Sequence, residues 1–407
     1  MFPLLKDIIV LDLTVALSGP FSTQILADFG ANVIKIEPPA GDFCRTWGPF
    51  VNKESTFFMS CNRGKRSMIL NLKSSEGVAL FKRMVEKADI VSENFRPGVM
   101  ERLGLGYDDL KKINPCIIYS ATSGFGHTGP LKNKSAYDMV VQAMGGIMSI
   151  TGPETGEPTR VGPSISDIIG GLYSAIGLMM ALYHRSLTGQ GQMIDVAMMD
   201  GLVATLENAI VRTVYGGAIP GPVGNRHASI APFESYMASD QYFVIAVANP
   251  KQWALFCECI IDKPEMIDDA CFRTNELRLK NIQTLNETIK PIFRTRKADE
   301  WLELLDSKGI PCGKINNIAQ VIDHPQVKAR EMIVDTNHPA YGLIKLAGIP
   351  IKLSLTPGKV TRPAPVLGEH TPEILKELLS MNEEEITKLV NSNVCGRAEN
   401  HEAIPKE

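Results

Sequence analysis

Nothing in this sequence stays apolar for the roughly 20 residues that a membrane-spanning helix needs. The run that comes nearest, 168–183, is bracketed by Asp167 on one side and His184 and Arg185 on the other, and it reads as a buried core helix. An excess of charge of one sign is missing too. Basic side chains number 42 and acidic ones 45, and the net charge of −3 offers no basic field for nucleic acid or an anionic membrane. Any anionic ligand must be held by local groups. Cysteine is sparse: eight are scattered over 407 residues, and Cys257-Glu258-Cys259 lacks a second Cys/His pair at zinc-finger spacing. Free thiols and no metal site are expected. The opening residues lack the charged-then-apolar order of a signal peptide, so a cytoplasmic location is expected.

What is present is an alternation. Short β-like runs at 8–13, 33–36, 67–72, 89–92 and 116–120 alternate with helical stretches at 20–29 and 74–87. Longer helical patterns follow at 137–150, 167–187 and 198–214. This is the pattern of an α/β protein with helices on both faces of a parallel sheet. The Gly/Pro-rich stretch 216–225 reads as a linker. Beyond it, a strand at 242–247 and amphipathic helices near 251–261, 284–293 and 297–308 suggest a second, smaller α+β domain. The expected division is 1–215 for the large domain, 225–325 for the small one, and 330–400 for a return to the large domain with a final helix at 372–379.

Gly124-Phe125-Gly126-His127-Thr128-Gly129 matches a dinucleotide-binding fingerprint only in its letters. That fingerprint needs its third glycine to enter a helix, with an acidic residue about 20 positions on. Here Pro130 follows at once and no such acid ends a second strand. A nicotinamide cofactor is not indicated, although a glycine-rich loop at a strand's carboxyl end can still line a ligand crevice.

The segment from Gly162 to Gly171 holds the most chemistry. Ser164 or Ser166 can cap a helix there, which places Asp167 in the first turn, where the helix dipole favours an ionised carboxylate. Gly170 and Gly171 lie on the same helix face as Asp167. They either leave a bare groove over the carboxylate or permit close helix packing. Local sequence keeps both readings open, and by itself makes Asp167 an ordinary dipole partner.

Four stretches change the weighting. They are the opening 1–42 with Ala16-Leu17-Ser18-Gly19-Pro20, Asn62-Arg63-Gly64-Lys65-Arg66-Ser67 leading to Leu70-Asn71-Leu72-Lys73, Glu93-Asn94-Phe95-Arg96-Pro97-Gly98, and Pro363-Ala364-Pro365-Val366-Leu367-Gly368-Glu369-His370-Thr371. In this order they resemble the class III CoA-transferase family of the CaiB/BaiF type, which includes formyl-CoA and carnitine-CoA transferases. The resemblance implies a Rossmann-like large domain and an interlocked homodimer. It implies no tightly bound cofactor, with a coenzyme A thioester and a small carboxylic acid as substrates. It puts the catalytic aspartate at Asp167. It puts CoA contacts at Val15, Ala16, Leu17, Ser18, Leu70, Lys73, Asn94, Phe95, Arg102 and Tyr137. Trp47, Gly224 and Asn225 fall near the substrate pocket. A lone basic residue is more often a solvated surface charge; it is the family pattern that lifts Lys73 and Arg102 above that.

The sequence also departs from the family. Pro38 stands where some members have an arginine near the nucleotide. The glycine run of the oxalate-linked members is replaced by Gly224-Asn225-Arg226-His227, which turns the expectation away from formate and oxalate. An α-methylacyl-CoA racemase of the same fold would need a histidine where Ala136-Tyr137-Asp138 stands. A non-catalytic acyl-CoA-binding protein would have no use for Asp167 and its glycine face.

Overall fold

The β-branched runs of the first two hundred residues become parallel strands, as their burial on both faces requires. The computed structural model of the protein describes residues 3–217, 219–338 and 341–398. Positions 1–2, 339–340 and 399–400 of the expected large-domain stretches lie outside the described residues.

In chain order the elements that build the site are strand β1 (Ile9–Asp12), helix α1 (Ser18–Asp28), β2 (Asn32–Glu37), β3 (Arg66–Leu70), helix α2 (Ser75–Val85), β4 (Ile90–Glu93), β5 (Ile118–Ser123), helix α3 (Asp138–Met144), helix α4 (Ile165–Thr188) and β6 (Met193–Ala197). The strands lie in the order β3-β2-β1-β4-β5-β6, all parallel. Cys395–Gly396 adds an antiparallel edge strand beside β3. Strand order reverses between β1 and β4, and in such sheets ligands bind in the crevice outside the carboxyl ends of those strands.

Alternate residues of each strand fill two cores. Leu11, Ile34, Met68, Val91 and Tyr119 meet Leu80, Phe81 and Met84 of α2 on one face. Val10, Val33, Ile90 and Ile118 meet Leu26 and Ala27 of α1 and Leu178 and Ala181 of α4 on the other. Each such aliphatic or aromatic side chain contributes about 1.5–3 kcal/mol by leaving water.

Several expectations need correction. The helical pattern at 137–150 breaks into α3 and Ile147–Ile150, because Gly146 takes φ +89 between them. The pattern at 198–214 breaks into Met198–Ala204 and Ala209–Gly216, with Glu207 at φ +50 in the gap. The helix Thr371–Leu379 is not the final one: Glu383–Asn391 follows, opened by a capping box between Asn382 and Glu385. Helix α4 is long and apolar enough to cross a membrane by length and composition, yet it is not wholly buried as expected. One side, with Gly170, Gly171, Ser174, Ala175, Leu178 and Ala181, packs inward. The other leaves Leu172, Ile176, Met180, Tyr183 and Leu187 exposed.

The described residues cluster into two units. One falls within Met1–Ile147, Val161–Ile210 and Pro325–Glu407, the other within Met148–Arg160 and Val211–His324. The second contains an antiparallel sheet of β7 (Phe233–Met237), β8 (Tyr242–Ala246) and β9 (Cys312–Lys314) with β8 central, together with helices α5 (Ile282–Phe293) and α6 (Ala298–Ser307). Its core is aromatic: Phe243 and Trp301 both meet Phe293 edge to face, and the Trp301 indole donates to the Phe293 carbonyl at 2.7 Å. The segment Met148–Arg160 joins this unit although the sequence reading places it in the first stretch. Gly224 N–H donates to Gly152 C=O at 2.9 Å and Arg226 pairs with Glu154 at 2.8 Å, which ties it there.

Candidate active site

Where β1 ends, the backbone cannot go on as strand, because Pro20 must enter α1 and Ala16 takes φ +61. Side chains from other strands hold this turn. Asn94, at the carboxyl end of β4, accepts the Val15 N–H at 2.7 Å and donates to the Val15 carbonyl at 2.8 Å. The two residues thus bridge the point where strand order reverses. Ser18 is buried at the start of α1, and its hydroxyl has no partner. Phe95 N–H donates to the Glu93 carboxyl at 2.7 Å, and the Phe95 ring packs on the sheet core.

Leu70 closes β3 and is 1 % exposed, while Lys73, just beyond it, is exposed with its N–H on the Asn71 side chain. The structure therefore gathers Val15, Ala16, Leu17, Ser18, Leu70, Lys73, Asn94 and Phe95 at the carboxyl ends of β1, β3 and β4. Arg102 ends the helical turn Val99–Arg102 and is exposed. Tyr137 is 66 % exposed and stands immediately before α3. Both lie within the same unit.

Asp167 sits half-buried in the first turn of α4. Neither serine caps the helix with its side chain; the N-cap residue Ser164 makes no such bond. Ser166 instead turns its hydroxyl to Asp138, donating to Oδ1 at 2.6 Å, and its N–H reaches the same oxygen at 3.0 Å. The other Asp138 oxygen accepts from Gln142 at 2.7 Å, and Gln142 in turn accepts the Val161 N–H at 2.9 Å. A fixed carboxylate therefore stands beside the candidate nucleophile. Burial, and then the Asp138 charge, push the Asp167 carboxyl up to about 7. The sequence reading expected the helix dipole to favour the anion. Desolvation and a like charge outweigh it.

The two glycines resolve as close packing. A Cβ on Gly170 would lie 2.8 Å from the Ser18 hydroxyl and 3.0 Å from Met198, and one on Gly171 would lie 2.6 Å from the Ser18 carbonyl oxygen. They seat α4 against the start of α1, and so bring the Asp167 helix to the turn at 15–18. The Thr122–Ser174 hydroxyl contact at 2.7 Å fixes the same helix to β5.

The loop at 124–129, which can line a ligand crevice, has two of its N–H groups engaged. Gly126 donates to Ser123 Oγ at 2.9 Å and His127 to the Asp195 carboxylate at 3.0 Å. His127 Nε2 lies 3.9 Å from Glu93, whose carboxyl burial pushes up to about 8. Trp47 stacks edge-on with Phe43 and Phe57 near Cys44 and Phe58. Gly224 and Asn225 belong to the second unit, where Asn225 donates to Ser235 Oγ at 3.1 Å.

Sequence reasoning missed Asp138, Gln142 and Glu93. The first two carried a signal, since Asp138 and Gln142 are spaced i, i+4 on α3. Among the described residues no three His, Cys, Asp or Glu side chains are grouped to hold a metal ion.

The model of CoA-transferase family III matches residues 5–371. The succinyl-CoA:glutarate CoA-transferase of Mus musculus is 40 % identical over 400 residues, covering 98 % of this chain and 91 % of the relative. The acetyl-CoA:oxalate CoA-transferase of Acetobacter aceti is 43 % identical over 373 residues, covering 91 % and 94 %. Among solved structures, a CAIB/BAIF family protein from Brucella suis superposes with a TM-score of 0.83 at 38 % identity, covering 93 % of this chain and all of that one.

Proposed function

The chain belongs to CoA-transferase family III, and on that premise we propose that it moves coenzyme A from an acyl-CoA to a free carboxylic acid with Asp167 as nucleophile. The observation that carries the reading is the Asp167 carboxyl itself: half-buried, raised to about 7, and mounted on a helix whose glycines seat it against the turn at 15–18. A carboxylate with a pKa near 7 is more basic than one in water, and hence the stronger nucleophile.

The Asp167 oxygen attacks the thioester carbonyl and expels CoA thiolate, leaving an aspartyl-acyl anhydride. The thiolate attacks the aspartyl carbonyl, releasing the donor acid and forming an aspartyl-CoA thioester. The acceptor carboxylate then repeats the sequence in reverse, and the thiolate leaves on the new acyl group. No net proton is consumed. Water must stay out, because the anhydride hydrolyses. Val15, Ala16, Leu17, Ser18, Leu70, Lys73, Asn94, Phe95, Arg102 and Tyr137 hold the CoA moiety, with the Lys73 and Arg102 cations facing its phosphates. Trp47, in the first unit, serves the acyl pocket.

The acceptor is a short dicarboxylic acid, the class to which the glutarate, oxalate and mesaconate in three relatives' names belong. One relative is named for oxalate, so oxalate belongs in the acceptor panel even though this chain lacks the glycine run. The free cysteines support a cytoplasmic enzyme. A second copy of the chain covers the exposed side of α4, where Met180 is 66 % and Tyr183 68 % exposed, in place of lipid. Light scattering of the protein then reads twice the 44.6 kDa chain mass.

The deciding experiment incubates the protein with succinyl-CoA and a panel of acids and reads new thioesters by mass. Hydroxylamine added with acyl-CoA alone must trap Asp167 and end activity. Exchange of the α-proton of a 2-methylacyl-CoA with deuterated water, without CoA transfer, would instead establish the racemase.

A further inference from the structure

The turn that follows β1 gets none of its shape from regular structure, yet its backbone is gripped at every polar atom from Thr14 to Ala16. Asp12 accepts the Thr14 N–H at 2.9 Å, and Lys35 Nζ donates to the Thr14 carbonyl at 2.7 Å. Asn94 takes both Val15 groups. Asp42 accepts the Ala16 N–H at 3.4 Å, and the Cys61 thiol donates to the Ala16 carbonyl at 3.4 Å. Left-handed Ala16 stands at the centre of this grip.

Half of the grip, three of six contacts, comes from a buried ionic cluster that the transfer steps leave unused. It comprises Asp12, Glu37 and Asp42 against Lys35, Arg45 and Lys65, so its charges cancel. Asp12, Lys35 and Lys65 are fully buried, and Glu37 and Asp42 are 1 % exposed. Lys35 pairs with Asp42 at 2.9 Å, Lys65 with Asp12 at 2.9 Å, and Arg45 with Glu37 at 2.7 Å. Asp42 passes the constraint onward by accepting the Cys44 N–H at 3.0 Å. Buried ion pairs add little net stability against apolar replacements of the same shape, but they do fix geometry.

We propose that Lys35, acting with Asp42, is a positioning residue for the CoA thioester: it touches no substrate and holds the turn at 14–16 in its binding shape before the ligand arrives. A turn already ordered gives up no conformational freedom on binding, and the affinity rises accordingly. The inference rests on the reading that the turn contacts CoA.

The test is the double variant Lys35→Met/Asp42→Asn in the full-length protein. It removes one charge of each sign, retains an acceptor for the Ala16 N–H, and frees the Thr14 carbonyl. Titration calorimetry with CoA is expected to give a Kd raised about tenfold, with KM for acyl-CoA rising in parallel and kcat at saturation within about threefold. Leu285→Ala, which opens the core of the second unit, controls for lost stability and is expected to leave Kd unchanged. If the double variant does not fold, Cys61→Ala removes one grip and leaves every charge in place, with Kd expected to rise about threefold. Wild-type affinity in a folded variant overturns the positioning role alone. Wild-type protein that binds no CoA overturns the functional reading beneath it.

Discussion

Asp138 accepts both the backbone N–H and the hydroxyl of Ser166, and so a second carboxylate is locked in place one residue from Asp167. The arrangement couples the state of Asp167 to pH. Below about 7 Asp167 carries a proton, and above it the anion required by the proposed attack predominates. The value of kcat/KM for acyl-CoA is expected to climb with pH to a plateau, with its midpoint about 7. Asp138→Asn keeps both acceptor contacts to Ser166 and deletes the charge, and it should move that midpoint at least about half a unit toward acid. A midpoint that stays put shows that Asp138 has no electrostatic hold on Asp167.

Asp167→Asn should lower CoA transfer by at least about a thousandfold while leaving CoA affinity within a few-fold, since the proposed nucleophile is lost and the proposed binding turn is not. Its stability carries a second signature. The folded carboxyl titrates at about 7 and the unfolded one near 3.8, so between those values the folded state holds the extra proton. The penalty of burying the charge therefore builds from pH 4 to 7 and is complete above 7. In urea unfolding the variant should match wild type at pH 4 and exceed it by about 1–2 kcal/mol at pH 8, allowing for solvent screening at a half-buried site.

Gly171→Ala tests the contact between α4 and α1. A helix interior gains up to about 1 kcal/mol when alanine replaces glycine. The new methyl would sit 2.6 Å from the Ser18 carbonyl oxygen and 3.1 Å from Phe21, and such overpacking costs about 1–3 kcal/mol. Thermal unfolding should show no gain, and Kd for CoA should rise as the turn at 15–18 is pushed away. A stabilised variant with full affinity would mean that the glycines are not there for the sake of α1.

Glu93→Gln preserves the acceptor for the Phe95 N–H and removes a buried acid. Glu93 titrates at about 8 when folded and near 4.5 when unfolded, chiefly through burial, with Glu101 and Asp195 adding like charge. Wild type should lose stability relative to the variant as pH rises from 4.5 to 8, on the order of 2 kcal/mol in all, and the gap should then level. Melting temperatures of the two proteins from pH 5 to 9 read this directly. Parallel curves would show that the carboxyl titrates normally.

Much of the large unit was legible because a parallel sheet is written locally. Each of its strands before Asp167 holds a short apolar stretch near turn residues, and α1, α2 and α4 start near the residues that sequence assigns them. The site was legible only in part. Asp167 could be singled out, but its titration could not, since Asp138 lies 28 residues from Ser166 and meets it only in the folded chain. Gly170 and Gly171 were visible without the Ser18 carbonyl that explains them. Lys35 read as one polar residue inside a strand, and nothing local shows that its ammonium reaches Thr14 and Asp42. The helix Glu383–Asn391 was a different kind of miss: its Asn382-to-Glu385 capping box is plain in the sequence, as a start signal should be.

The edge of the large sheet is finished by parts of the chain that are made some 300 residues later. Within β3, the Ile69 N–H donates to the hydroxyl of Thr371, 302 residues further on, and Leu70 pairs with Cys395. The whole second unit is synthesised in between. On the ribosome, β3 therefore waits with an open hydrogen-bonding edge, the feature by which strands recruit stray partners. The same Leu70 closes one side of the proposed CoA site, so a nascent chain can be neither fully protected nor competent to bind until its C-terminal helices have emerged.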